Sequence, residues 1–192
     1  MSKLETNTID TVSGTTNLTI GSTNSSTVTF ESGAVTGHMY PAFSALGNGQ
    51  QNLSDATETL VEFPNEQFDT GNCFDNTAGN YKFTPNVAGK YFLYFTLDAF
   101  SQTDDKLIKA SGRLYKNGTR INTNIYNLNQ GGSSGVTAHA VPITQSFMVE
   151  ANGSSDYFQV KIFVDVSSGS PAIVGNTSTS QNLNFAGYRI GS

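Results

Sequence analysis

Tyr91-Phe92-Leu93-Tyr94-Phe95-Thr96-Leu97 is almost entirely aromatic or apolar and is bounded by Gly89 and Asp98. Aromatic side chains suit the pleated surface of a strand. On a strand, residues 91, 93, 95 and 97 point to one side and 92, 94 and 96 to the other. A sandwich strand normally has one dry face and one wet face. Here both faces carry rings, so the outward one is expected to be covered. The favoured cover is another subunit. The other is an N-terminal arm or long loop folded over that face.

Similar short apolar runs recur on either side: Leu60–Phe63, Tyr81–Phe83, Leu107–Tyr115, Val141–Val149, Tyr157–Val166 and Leu183–Ile190. Turn residues separate them, as in Thr77-Ala78-Gly79-Asn80, Lys116-Asn117-Gly118 and Ala151-Asn152-Gly153. Many short strands with frequent turns and no helical pattern predict an all-β sandwich or barrel, and this length suits an eight- to ten-stranded jelly roll.

Composition agrees. The 192 residues include 23 Thr, 21 Ser and 19 Asn, only 13% are charged, and the best helix formers are sparse. Thirteen Phe and eight Tyr are too many for a disordered chain. No run approaches the ~18 apolar residues that span a bilayer, so membrane insertion is not expected. Ten basic residues against fifteen acidic give a net charge of −5. The basic residues look scattered, the densest group being Lys106, Lys109, Arg113 and Lys116, which argues against a nucleic-acid partner. Met1-Ser2-Lys3-Leu4-Glu5 lacks the apolar core of a secretory signal, so folding inside a cell is expected. The single Cys73 fits, since it has no partner for an internal disulfide. The six Asn-x-Ser/Thr triplets then follow from Ser and Thr abundance rather than glycosylation.

A boundary is expected near residue 37, giving an arm over 1–37 and a head over 38–192. Residues 11–30 hold no charge and thirteen Thr, Ser or Asn. Leu18-Thr19-Ile20 and Val28-Thr29-Phe30 alternate like short strands. Too few large apolar side chains are present for a private core. The segment is therefore either a linker or a piece ordered by a partner, with Leu18, Ile20, Val28 and Phe30 as the attachment residues.

The series Phe63-x5-Asp69-x4-Phe74-x6-Tyr81-x7-Gly89-x-Tyr91-x-Leu93-x-Phe95 resembles the globular head of the complement first component's q subunit, a family sharing the tumour-necrosis-factor jelly roll. Leu114-Tyr115-Lys116-Asn117-Gly118, the strand opened by Asp156, and Asn184-Phe185-Ala186-Gly187-Tyr188 continue the resemblance in order, over about residues 41–191. The family core positions are Phe63, Phe74, Tyr81, Gly89, Phe185 and Gly187. Departures occur: Tyr81 stands two residues too far from Gly89 unless Phe83 is the equivalent, Leu93 replaces Phe, and Ser155 replaces the Gly before Asp156. The resemblance implies a ten-stranded jelly roll in a tight homotrimer, with Tyr91, Phe92, Leu93, Tyr94 and Phe95 in the core and at the trimer contact, and binding rather than catalysis. Some members hold calcium. The Thr/Ser/Asn-rich opening from Thr11 to Ser22 resembles bacteriophage virion proteins, tail fibres included.

Catalytic chemistry finds little support. The two histidines, His38 and His139, sit in no nucleophile arrangement, and there is no Gly-x-Ser-x-Gly elbow. Asp104-Asp105 fits a solvated loop better than a glycosidase pair, and Asp98 and Glu62 are expected as paired core charges. No catalytic residue, metal ligand or cofactor is assigned. Tyr115, Tyr126, Tyr188 and the Asn/Gly/Ser loop beginning Asn127 and Asn129 have the composition of a recognition surface, or simply of a flexible turn. The expected function is a non-enzymatic, homotrimeric tail fibre or spike in the virion. Its arm would meet other virion proteins and its head a host-surface glycan or protein. Alternatives are a capsid decoration or head-fibre protein, a polysaccharide-cleaving spike, and a non-viral bacterial adhesin.

Overall fold

A computed structural model describes residues 40–103, 106–122, 124–128, 138–175 and 183–191. Leu18, Ile20, Val28, Phe30, His38, Asp104, Asp105 and Asn129 lie outside them. Every element among the described residues is a strand. One sheet contains β1 (Ala42–Leu46), β2 (Gln51–Asn52), β4 (Asn65–Asp69), β7 (Ala88–Ser101), β11 (Ala140–Asn152), β13 (Pro171–Ile173) and β14 (Asn184–Gly191). The other contains β3 (Thr57–Leu60), β5 (Phe74–Asp75), β6 (Lys82–Phe83), β8 (Leu107–Lys116), β9 (Thr119–Arg120), β10 (Tyr126–Asn127) and β12 (Phe158–Val166). The fold is an all-β two-sheet sandwich, as the alternating sequence predicts.

The aromatic strand β7 organises the first sheet. β11 pairs along one edge, from Asn152 opposite Ala88 to Ala140 opposite Phe100. The other edge is shared by β14, along Lys90–Thr96, and β13, along Ala99–Ser101. β1 then pairs with β14, and β4 closes that side. In the second sheet β12 lies between β8 on one edge and β3 and β6 on the other. Asn117 and Gly118, both at positive φ (52° and 75°), turn β8 into β9. An Asn-Gly pair accepts that left-handed backbone most readily.

Burial alternates along β7: Tyr91, Leu93, Phe95, Leu97 and Ala99 are buried, while 92, 94, 96, 98 and 100 are half-exposed. The inward side meets Leu114, Phe158, Val160, Ile162 and Val164 of the second sheet within one core. Phe43 stacks on Phe83 (ring centroids 4.3 Å apart) and Phe74 (5.0 Å) and meets Phe185 edge-on (4.9 Å). Each such ring contributes roughly 1.5–3 kcal/mol by leaving water. Phe83, not Tyr81, joins that stack, though both are buried. Two glycines make room, Gly112 between the layers and Gly187 between the neighbouring strands β14 and β7. A Cβ on Gly112 would lie 2.7 Å from Phe95, and one on Gly187 would lie 2.3 Å from Leu93 and 2.7 Å from the Phe92 carbonyl.

Candidate functional site

Three surface regions carry chemistry. The first is the outward face of the β7 sheet. Register places Met148, Phe92, Tyr188 and Ala42 in one row, and Ser146, Tyr94, Ala186, Ser44 and Phe68 in the next. Phe92 lies against Tyr188 (5.6 Å) and Tyr94 (6.3 Å). Met148 is 79% exposed and Phe68 50%. Phe92, Tyr94 and Tyr188 between them are half-exposed, so within one chain this face is aromatic and only partly covered. The amide oxygen of Asn184, on the same face, is shut off from solvent without a hydrogen-bond partner. Tyr188, expected as part of a recognition surface, lies on this face in β14.

The second region is the end of the sandwich where β8 turns. Asp156 accepts from the Asn117 side chain (2.7 Å) and the Asn152 backbone N–H (2.9 Å), and pairs with Lys116 (2.9 Å). The Asn152 amide oxygen in turn accepts the backbone N–H groups of Ser154, Ser155 and Asp156. The Asn117 hydrogen bond, with the Lys116 ammonium, holds the Asp156 carboxyl below its ordinary range. A hollow of about 430 Å³ beside this cluster is lined by Ala88, Gly89, Lys116, Glu150 and Asp156. Its cation is already satisfied by Asp156 and by the Glu150 carbonyl (2.7 Å).

The third region is the outward face of the second sheet. Phe158, Val160, Ile162 and Val164 point inward, so Gln159, Lys161, Phe163 and Asp165 point out. Opposite them stand Tyr115, Arg113, Ser111 and Lys109 of β8. Lys82 on β6, Arg120 on β9 and Glu58 on β3 extend these rows. Cations rest over rings: Lys161 over Tyr115 (4.4 Å), Arg113 and Lys109 over Phe163 (4.9 and 5.2 Å), and Lys82 over Tyr157 (5.5 Å). Glu58 pairs with Arg113 and lies 3.6 Å from Lys161. Burial pushes the Glu58 carboxyl up, but hydrogen bonds from Tyr115 and Arg113 outweigh it and the net shift is downward.

Several expectations need correction. Tyr115 is 7% exposed and lies in strand β8 beneath Lys161, because its ring is part of this cation–aromatic layer rather than of a loop. Tyr126 pairs opposite the buried Ala110 and packs half-buried against the core. Asn127 is exposed at the end of β10. Glu62 is exposed and Asp98 is on the outward side of β7, so neither is a paired core charge. Burial raises the Asp98 carboxyl, and His139 partly offsets this. His139 is exposed at the start of β11 beside Phe100. The basic side chains are not scattered: five of the ten share the outward face of the second sheet. Sequence spacing alone missed this, because cross-strand register decides which side chains become neighbours. Cys73 is buried, and its surroundings push the thiol up, away from the reactive thiolate. Among the described residues no three His, Cys, Asp or Glu side chains gather as a metal site.

No family model and no curated protein matches the sequence. Solved structures do match. Murine APRIL at pH 5.0 superposes with a TM-score of 0.53 at 9% identity, over 78% of this chain and 98% of its own. Murine APRIL at pH 8.0 gives 0.51 at 11% identity over the same shares. The globular domain of zebrafish complement 1qA protein, at 15% identity, covers 78% of this chain and 97% of its own, with a TM-score of 0.49. The sandwich resembles the jelly-roll fold of murine APRIL. In this jelly roll β7 and its partners make one layer and β8 and β12 the other, and the identities are low enough that the likeness concerns fold alone.

Proposed function

We propose that the chain is a non-enzymatic binding module whose jelly-roll head works as a homotrimer, at the outer end of a phage tail fibre or spike, with residues 1–37 attaching it to the particle. The observation that carries the assembly is the open row Met148–Phe92–Tyr188 beside Tyr94 and Phe68. Contiguous exposed aromatic surface on a soluble domain marks a contact. C1q/TNF-like domains are typically trimeric and non-catalytic, which favours three copies meeting across this face. The virion role is supported by the uncharged, Thr/Ser/Asn-rich stretch over 11–30, a composition suited to a segment that is ordered only against a partner.

Light scattering on the full chain tests the assembly: a mass of three chains supports it and a micromolar monomer overturns it. Removal of residues 1–37 tests the arm. A head that still joins particles without it ends the attachment reading. Labelled antibody on intact particles separates a tail position from a capsid one.

A further inference from the structure

The outward face of the second sheet is a basic surface on an acidic chain. It holds Lys82, Lys109, Arg113, Arg120 and Lys161 against Glu58, Asp75 and Asp165, whereas the whole chain carries −5. Four of the five cations are laid over the rings of Tyr115, Tyr157 and Phe163 at 4.4 to 5.5 Å. Rings under the ammonium and guanidinium groups restrain them without neutralising them. Heads already restrained lose less freedom when a ligand arrives.

We propose that this face docks a polyanionic polysaccharide bearing one carboxylate per one or two sugar rings. The inference deepens the adhesion reading above and rests on it. Strands ~4.8 Å apart, with outward side chains repeating every ~7 Å, set the spacing of the charges. Lys82 and Arg120 lie in one row, with Asp75 of β5 beside Lys82, Lys161 and Arg113 share the next, and Lys109 lies two rows further on. That is sparse compared with a nucleic-acid strand, which presents a phosphate every ~3.4 Å. Glu58 and Asp165 between the cations would repel dense phosphate but accept hydrogen bonds from sugar hydroxyls, as would Gln159, Ser111 and Asn127 in the same rows. Arg120 is exposed and offers a planar fork that suits a carboxylate. With the rest of the chain acidic, a polyanion is steered to this side of the head.

Affinity electrophoresis of the full chain tests the proposal, with hyaluronate, uncharged dextran or poly(dT) in the gel. Hyaluronate is expected to retard the protein in dilute buffer and to lose its effect near ~0.5 M salt, where the Debye length is short. The triple variant Lys82→Gln, Lys109→Gln, Arg120→Gln spares the Glu58 pair. It is expected to bind hyaluronate about tenfold more weakly. A Lys90→Gln control, which removes a cation from the other sheet, should bind as the parent does. No retardation by hyaluronate, equal retardation by dextran, tighter binding to poly(dT), or an unaffected triple variant each overturns the proposal. If hyaluronate is ignored while the chain still adheres to host cells, adhesion stands and this face is wrong. If hyaluronate binds through these residues but host cells do not, the face stands and the adhesion reading falls.

Discussion

The side-chain amide of Asn117 donates to the carboxylate of Asp156 over 2.7 Å, tying the turn after β8 to the residues that lead into β12. Asn117 also accepts the Tyr157 N–H at 2.9 Å, so the two residues close a ring of hydrogen bonds. Because this contact holds the folded-state carboxyl below its ordinary 3.8, its contribution is complete above about pH 4 and disappears as pH falls through the lower folded value. Asp156→Asn should cost about 1–3 kcal/mol at pH 7 and flatten the acid limb of the stability curve. Urea midpoints between pH 2.5 and 7 check both.

Gly187→Ala should be the more damaging of two glycine substitutions. Its new Cβ meets a backbone oxygen at 2.7 Å as well as Leu93, and a backbone group cannot step aside as a side chain does. A loss of about 3 kcal/mol is expected, against about 1–3 for Gly112→Ala, where only Phe95 and Ile143 side chains must shift. Thermal unfolding of the two variants beside the parent measures the order.

Arg113→Ala removes a guanidinium that is packed on Phe163, paired with Glu58 and hydrogen-bonded to Ser111 (3.2 Å). Glu58 keeps partial contact with solvent, so the cost should be about 1–3 kcal/mol rather than that of a fully buried pair. With Glu58→Gln in a double-mutant cycle, a coupling of about 1 kcal/mol is expected. Additive losses would show that the stacking on Phe163, not the charge pair, holds Arg113.

Met148→Lys places a charge on a side chain that is already 79% exposed, so the stability of one chain should change by less than about 0.5 kcal/mol. If copies meet across Phe92 and Tyr188, the same substitution should lower the scattering mass toward one chain. An unchanged mass locates any assembly elsewhere.

The sequence makes the layers legible because period-two alternation is a local property. Tyr91 to Leu97, Phe158 to Val164 and the Asn117-Gly118 turn all fall where their patterns predict. Loops and faces are harder. Tyr115 follows the same alternation as its neighbours, and only the pairing of β8 with β12 reveals that it lies under Lys161. The basic face is built from β6, β8, β9 and β12, segments up to eighty positions apart, and no spacing rule spans that distance. Phe83 rather than Tyr81 enters the aromatic stack because β6 is in register with Phe74 and Phe158.

In the first sheet β14 lies between β1 and β7, so β1, the first strand described, can pair with β4 on one edge but cannot join β7 until the last strand exists. On a ribosome, which releases the chain from its N-terminus, β1 emerges early and must wait for residues 184–191 before its inner edge is paired. Closure of the layer therefore follows completion of the head, and a chain cut short before Phe185 leaves both Phe43 and Leu93 facing a missing neighbour.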